Sequence, residues 1–300
     1  MSERNGILNL YKPSGITSHD AVNIVRKVYN TKKVGHTGTL DPMACGVLPI
    51  LVGNAVKASE YVMMGDKHYI AGMRFGISTD TDDITGTVTE ESVVRPSDDD
   101  LRTALASFKG SSMQKPPMYS AIKKDGKKLY ELARAGVEIE IESRPIEIYS
   151  IDLLSYNGEE ALIDVKCSKG TYIRSLVRDI AEACSAKAAM SFLERVETHG
   201  FTKDNSISVD DLKNTVSEKL SDLLYPVENI FPDAEKVYLS EFYSRLAKNG
   251  AEIYLDKAIL NINDKRAKIL MYDNFKIFFA LGEVRDFDGS DAVKPIKMFL

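Results

Sequence analysis

Residues 35–50 read Gly-His-Thr-Gly-Thr-Leu-Asp-Pro-Met-Ala-Cys-Gly-Val-Leu-Pro-Ile, and this stretch governs how the rest of the chain is read. Gly35 and Gly38 admit backbone conformations closed to other residues and let a ligand approach the main chain closely. Pro42 disfavours helical dihedrals at Asp41 and holds it extended. A single carboxylate therefore stands on a stiffened loop beside His36, Thr37 and Thr39. Such a group is a candidate chemical centre. Taken alone, Asp41-Pro42 also reads as a helix N-cap followed by proline at the first helical position.

Working outward, Gly6–Tyr11 reads as a strand ended by the turn Lys12-Pro13-Ser14-Gly15. Thr17 or Ser18 can cap a helix over Asp20–Tyr29, with Ala21, Ile24, Val25 and Val28 on one face. Ala55–Met64 predicts a further helix, Lys67–Phe75 a strand, and Asp98–Phe108 a helix with acids at its positive end. Gly76–Gly86 reads as an acidic, solvated loop, and the Pro-, Gly- and Lys-rich residues 111–128 as an exposed functional loop. Ile146–Leu154 and Ala161–Cys167 predict paired strands across Tyr156-Asn157-Gly158, Tyr172–Cys184 an amphipathic helix, and Met190–Val196 a strand. Beyond Phe231-Pro232 come a short helix, Ser240–Lys248, and strands around Ile253, Ile259, Ile269, Phe278 and Met298, with a hairpin turn at Asp273-Asn274.

Composition narrows the function. Apolar residues at 44% and charged residues at 28% are ordinary for a soluble globular chain. The N-terminus lacks a signal-peptide core, and the longest apolar run, Met43–Val52, is too short to span a bilayer. Three unpaired-looking cysteines point to a reduced, cytoplasmic protein, and Cys45 among small apolar neighbours reads as packing. Four scattered histidines form no metal-ligand pattern, and no P-loop or dinucleotide fingerprint occurs, so neither metal nor cofactor is expected. The net charge of −5 argues mildly against a polyanion partner. Yet residues 115–134 hold six Lys/Arg against two Asp/Glu, so a basic face on an acidic protein is open.

The ordered set of motifs resembles the TruB-type tRNA pseudouridine synthases. Lys12–Gly15 resembles the first family motif, and Gly35–Ile50 the second, whose acid falls on Asp41. Lys67-His68-Tyr69 is similar to the motif contributing a tyrosine, and Pro117–Ala121 with Gly126–Tyr130 to an inserted RNA-gripping loop. Ser168–Arg174 resembles the third core motif, carrying Tyr172 and Arg174, and Leu193-Glu194-Arg195 the last, carrying Leu193. Residues 231–300 look like a short PUA-type RNA-binding domain.

This resemblance implies an α+β fold: a mixed, largely antiparallel sheet flanked by helices, then a small PUA-like β domain. The expected division is a catalytic domain over 1–230, with the gripping insertion at about 111–145, and an RNA-binding domain over 231–300. It implies isomerisation of the uridine at position 55 in the T-loop of tRNA, with the T-arm as partner and a monomer needing no obligatory protein partner. Asp41 would be the nucleophile, with Tyr69 and Arg174 as its catalytic companions. Arg174 can keep Asp41 ionised through a forked hydrogen bond. Tyr69 offers a stacking face, Leu193 an apolar floor, Tyr172 a wall, and His36 a ring to occupy the departed base's place. Lys12, Lys123, Lys124, Lys127 and Lys128 would meet RNA phosphates. A synthase for another RNA target and a non-catalytic RNA-binding or folding module are the alternatives.

Overall fold

The computed structural model describes residues 4–300 apart from 63, 64, 121, 125, 138 and 288, and not the side chains of 123, 124, 128, 130 and 134. The first helix forms where the sequence places a cap. Thr17 Oγ1 accepts from the Asp20 amide at 3.0 Å while the Asp20 carboxylate accepts from the Thr17 amide at 2.9 Å, which closes a capping box. The helix, α1, runs Ser18–Tyr29 and ends at Asn30 in the left-handed conformation. Its face of Ala21, Val22, Val25 and Tyr29 is buried against the sheet.

That sheet has eleven strands among the described residues. Its principal members are β1 (Gly6–Lys12), β2 (Cys45–Val52), β3 (Lys67–Phe75), β4 (Gly110–Gln114), β5 (Arg144–Tyr156), β6 (Glu160–Cys167), β7 (Ala188–Thr198) and β8 (Ile207–Ser208), in the order β8-β1-β2-β7-β3-β6-β5-β4. The β1–β8 and β2–β7 pairs are parallel and the remaining neighbours antiparallel, so the expected mixed, largely antiparallel sheet is present. Helix α2, Ile173–Ala183, packs on β7 through Ile173, Leu176, Val177, Ile180 and Ala181.

A second sheet of five strands follows, in the order Glu235–Tyr238, Ile269–Tyr272, Phe278–Phe287, Ser290–Met298, Ile253–Tyr254. A buried apolar cluster joins Leu270, Tyr272, Leu281 and Phe299 of this sheet to Ile7, Val47 and Leu51 of the first. The Asp273-Asn274 turn forms as read: the Asp273 carboxylate accepts from the amides of Phe275 and Ile277, both at 3.0 Å.

Three local expectations are corrected. Ala55–Met64 is a 3-10 turn, Gly53–Ala58, running into one α-turn, Ser59–Val62; Met63 and Met64 lie outside the described residues. Ile259 is no strand residue but sits at φ 53° just past a one-turn helix, Leu255–Ala258, and is largely exposed. Gly76–Gly86 is not wholly loop, since Ile77–Thr79 pairs with Val88–Glu91.

The close approach of β2 to β7 fixes one glycine of the opening stretch. Gly46 has φ 110°, and a Cβ there would lie 2.2 Å from the Arg195 carbonyl oxygen and 2.7 Å from its nitrogen. Neither atom can yield without breaking the parallel contact that brings the Asp41 loop onto β7. Gly46→Ala should therefore lower unfolding free energy by about 2 kcal/mol or more, through overpacking and backbone strain together. A urea melt followed by circular dichroism checks this; a midpoint equal to wild type would show that the approach is looser than drawn.

Candidate active site

The loop bearing Asp41 is pinned from below by the Lys12–Gly15 turn and by the start of α1. The Gly15 amide donates to the Pro42 carbonyl at 2.8 Å, and Ser14 Oγ to the Met43 carbonyl at 2.8 Å. Ser18 Oγ donates to the Leu40 carbonyl at 3.0 Å and accepts from the Leu40 amide at 2.9 Å. Lys12 belongs to this underside. It is 0% exposed, and its ammonium donates to the carbonyls of Pro13 at 2.9 Å, Ile16 at 2.7 Å and Pro42 at 3.5 Å. Burial pulls its pKa down to about 8. The expectation that Lys12 meets RNA phosphate is thus corrected: a side chain enclosed by its own turn braces the loop instead.

Asp41 projects from the pinned loop toward the first turn of α2. There Arg174 meets it side-on, Nε to Oδ2 at 3.0 Å and Nη2 to Oδ1 at 3.5 Å. Arg174 is 7% exposed, and every edge of its guanidinium is engaged. Nη1 donates to the Thr81 carbonyl at 2.9 Å and approaches Asp83 Oδ2 at 3.7 Å, while Nη2 donates to the Tyr119 carbonyl at 2.9 Å. The Asp41 carboxyl itself stays open to the outside, its side chain 32% exposed. Burial raises its pKa above the usual carboxylate range; Arg174 and Lys12 oppose this, and Asp83 adds to it.

The stretch from Asp80 to Asp83 was expected to be solvated, and only Asp80 is exposed. Asp83 is 5% exposed because Thr81 Oγ1 at 3.0 Å and the Thr85 amide at 2.9 Å satisfy its Oδ1, leaving Oδ2 for Arg174. Asp82 pairs with Arg178, one turn further along α2, at 2.9 Å. Two acids of this loop therefore fix two arginines of one helix.

The floor comes from the sheet. In the antiparallel pair β3–β7, Tyr69 lies opposite Arg195 and Ala71 opposite Leu193, so all four occupy one face. Tyr69 and Leu193 are each 6% exposed. Burial lifts the Tyr69 phenol to about 12, against the pull of the nearby Arg195 charge. Tyr172 caps α2, and Gln114 clamps its main chain: the Tyr172 amide donates to Gln114 Oε1 at 2.8 Å, and Gln114 Nε2 donates to the Tyr172 carbonyl at 3.0 Å. His36 is half-buried on the loop's near side, its Nδ1 accepting from the Gly38 amide at 3.4 Å. Burial and the nearby Arg195 lower its pKa.

The structure thus pairs Asp41 with Arg174, sets Tyr69 and Leu193 on one face of the sheet, Tyr172 at the start of α2 and His36 just ahead of the Asp41 loop, with Lys12 beneath that loop. Lys127 is exposed on a small hairpin that pairs Lys123–Lys124 with Lys127–Lys128; the side chains of Lys123, Lys124 and Lys128 lie outside the described residues. Cys45 is half-buried and its Sγ accepts from Tyr11 Oη at 3.4 Å. Sequence reasoning missed Asp83, Gln114 and Arg195. The hydroxyls at Thr79, Thr81 and Thr85 around Asp83 were a usable signal for a buried carboxylate. So was the strand period that puts Arg195 on the face of Leu193.

Comparison with known proteins gives a consistent picture. Residues 26–173 match the TruB family pseudouridylate synthase N-terminal domain, and residues 174–232 match the tRNA pseudouridylate synthase B C-terminal domain. A tRNA pseudouridine synthase B of Alkaliphilus oremlandii (strain OhILAs) is 45% identical over 284 residues, 95% of this chain and 94% of its own. Its counterpart in Clostridium tetani (strain Massachusetts / E88) is 42% identical over 280 residues, 93% of this chain and 95% of its own. Among solved structures, a chain of a Cbf5-Nop10-Gar1 complex superposes with a TM-score of 0.74 at 26% identity, covering 99% of this chain and 85% of that one. Such matches run the length of the sheet that holds the Asp41–Arg174 pair, and the chain belongs to the TruB family of pseudouridylate synthases.

Proposed function

We propose that this chain isomerises the uridine at position 55 in the T-loop of tRNA to pseudouridine, with Asp41 as the nucleophile on a flipped-out base. The observation that carries the reading is the side-on Asp41–Arg174 pair at 3.0 and 3.5 Å, seated over a floor of Tyr69 and Leu193. Relatives named tRNA pseudouridine synthase B, alike over nearly the whole chain, support tRNA as the substrate. The two separate sheets fit a catalytic part over 1–230, with its insertion at about 111–145, and a smaller RNA-contacting part over 231–300.

The chemistry follows from the inventory. The uridine leaves the RNA stack at a cost of about a few kcal/mol and enters against the Tyr69 ring. The Asp41 carboxylate attacks either C6 of the uracil or C1′ of the ribose. The N1–C1′ bond breaks, the ring turns, C5 bonds to C1′, Asp41 is released, and the proton on C5 leaves while N1 takes one up. Arg174 keeps the carboxylate ionised and aimed, and Leu193 keeps water from the separated ring. His36 on the open side stands where the RNA would close over the gap. Lys127 and its neighbours on the 123–128 hairpin hold phosphates, which position the RNA without reading its bases. A second reading, a synthase that depends on partner proteins, is favoured only by the solved relative, whose structure is of a complex.

The test is the purified chain alone with an unmodified tRNA transcript, and pseudouridine mapped by a chemical adduct that stalls reverse transcription. A single new stop at T-loop position 55 is expected. No stop at any uridine would overturn the reading, and a stop elsewhere would reassign the target.

Asp41→Asn keeps the shape and loses the nucleophile. Turnover, followed by tritium release from C5-labelled uridine, should fall by roughly ten-thousandfold or more while RNA affinity by filter binding stays within about threefold. Residual turnover within about tenfold of wild type would remove Asp41 from the mechanism.

Arg174 opposes the upward push of burial on Asp41. A rate that needs the carboxylate rises as pH climbs through that group's pKa, so removing the cation moves the rise to higher pH. In a single-turnover pH–rate profile, Arg174→Ala should be nearly inactive at neutral pH and recover partly toward alkaline pH. Arg174→Lys, which keeps the charge but loses the fork, should lie between it and wild type. A folded Ala variant that tracks wild type throughout would exclude Arg174 as the partner of Asp41.

A further inference from the structure

Arg195 is 1% exposed, among the most completely buried large side chains of the molecule. Its Nε donates to the Val47 carbonyl at 2.7 Å and its Nη2 to the Gly38 carbonyl at 3.4 Å, and it stands opposite Tyr69 on one face of the sheet. Both acceptors are neutral carbonyls. Among the described residues no carboxylate forms an ion pair with it, in contrast to Arg174 and Arg178, which each have two. An arginine cannot discharge to escape burial, so a cation placed here without a counter-charge is costly. Its surroundings show where an anion would appear. It touches the turn three residues before Asp41, it neighbours His36, and through Tyr69 it faces the pocket floor.

The proposed reaction supplies that anion, and this inference rests on that reading. If Asp41 attacks C1′, the electron pair of the broken N1–C1′ bond stays with the uracil, which is anionic until C5 takes up C1′. If Asp41 attacks C6, the ring becomes an enolate bearing its charge toward O4. Either way the base carries negative charge against Tyr69 until C5 bonds to C1′.

We propose that Arg195 is a positioning residue for this reaction: its buried, unpaired guanidinium ties the Gly38 turn to β2 beside Tyr69 and provides the standing positive charge that the anionic uracil requires. A fixed charge in a water-excluded site needs no reorganisation when the ring becomes anionic, which is the condition under which electrostatic stabilisation is largest.

The test separates this role from plain packing. Wild type is first shown to form pseudouridine in a tRNA transcript; failure there overturns the function reading, and the inference with it, before any variant is measured, whereas failure of the variants alone overturns only the role of Arg195. Arg195→Met preserves the stem's volume and removes the charge. Because no ion pair is broken, its melting temperature should stay within about 5 °C of wild type and its RNA affinity within about threefold. Its single-turnover rate at saturating RNA should fall by roughly a hundredfold or more. Arg195→Lys, which restores charge without the fork, should regain at least about tenfold of that loss. If the Met variant does not fold, Arg195→Gln carries the same test, since it keeps a donor to the carbonyls but no charge. A folded, RNA-binding neutral variant whose single-turnover rate lies within about threefold of wild type would overturn the proposal. So would a Lys variant no faster than the neutral one.

Discussion

The guanidinium of Arg174 is the point on which four separate segments converge. The Asp41 loop, the Thr81–Asp83 loop and the Tyr119 carbonyl each engage it, and it is itself delivered by the first turn of α2. Taking an arginine out of water costs several kcal/mol, and that penalty is offset only when its donors are matched in good geometry. Each loop therefore stabilises the others through a shared partner. The arrangement also explains why the Asp41 carboxyl is the exposed member of the pair: the arginine is satisfied from behind and the side, and the carboxylate alone faces outward.

Three buried cations surround the site, and their chemistry differs in a consistent way. Lys12 is ringed by backbone carbonyls, and burial draws it to about 8, so it can lose much of its charge cheaply if surroundings demand it. Arginine does not offer that escape. The chain has lysine in the brace and arginine at Arg174 and Arg195, whose charge persists at any working pH. The acids follow the same division. Asp83, wrapped in threonine hydroxyls and an amide, serves Arg174 from inside, while Asp41 retains an open face.

Much of this was legible in the sequence. Elements with strong local signals formed where read: α1 from its capping box, β3 from its alternation, α2 from its apolar face, and the Asp273 turn from its side-chain bonds to the main chain. Asp41, Tyr69, Arg174 and Leu193 were found because ordered motifs marked them, and the fold brings them together from residues far apart in the chain. What escaped was what depends on partners distant in sequence. Asp83 looks like a solvated acid until Arg174 arrives from ninety-one residues downstream. Lys12 looks like a phosphate ligand until its own turn closes over it. Ile259 follows the alternation of its neighbours, but its run is too short to pair, and the chain turns there instead.

The stretch that leads into the Lys-rich hairpin also reaches the candidate site. Gln114, the last residue of β4, holds the main chain of Tyr172 by two hydrogen bonds, and Tyr119, five residues on, gives its carbonyl to Arg174. Both bonds land on the N-terminal end of α2, the segment that carries the cation for Asp41. The strand that leads into the Lys-rich hairpin is thus fastened at the reacting centre before it extends outward. A backbone held at its root transmits position better than one anchored only at its tip, because error accumulates along unsupported chain. The hairpin and the Asp41 carboxylate are then referred to the same rigid origin, the first turn of α2.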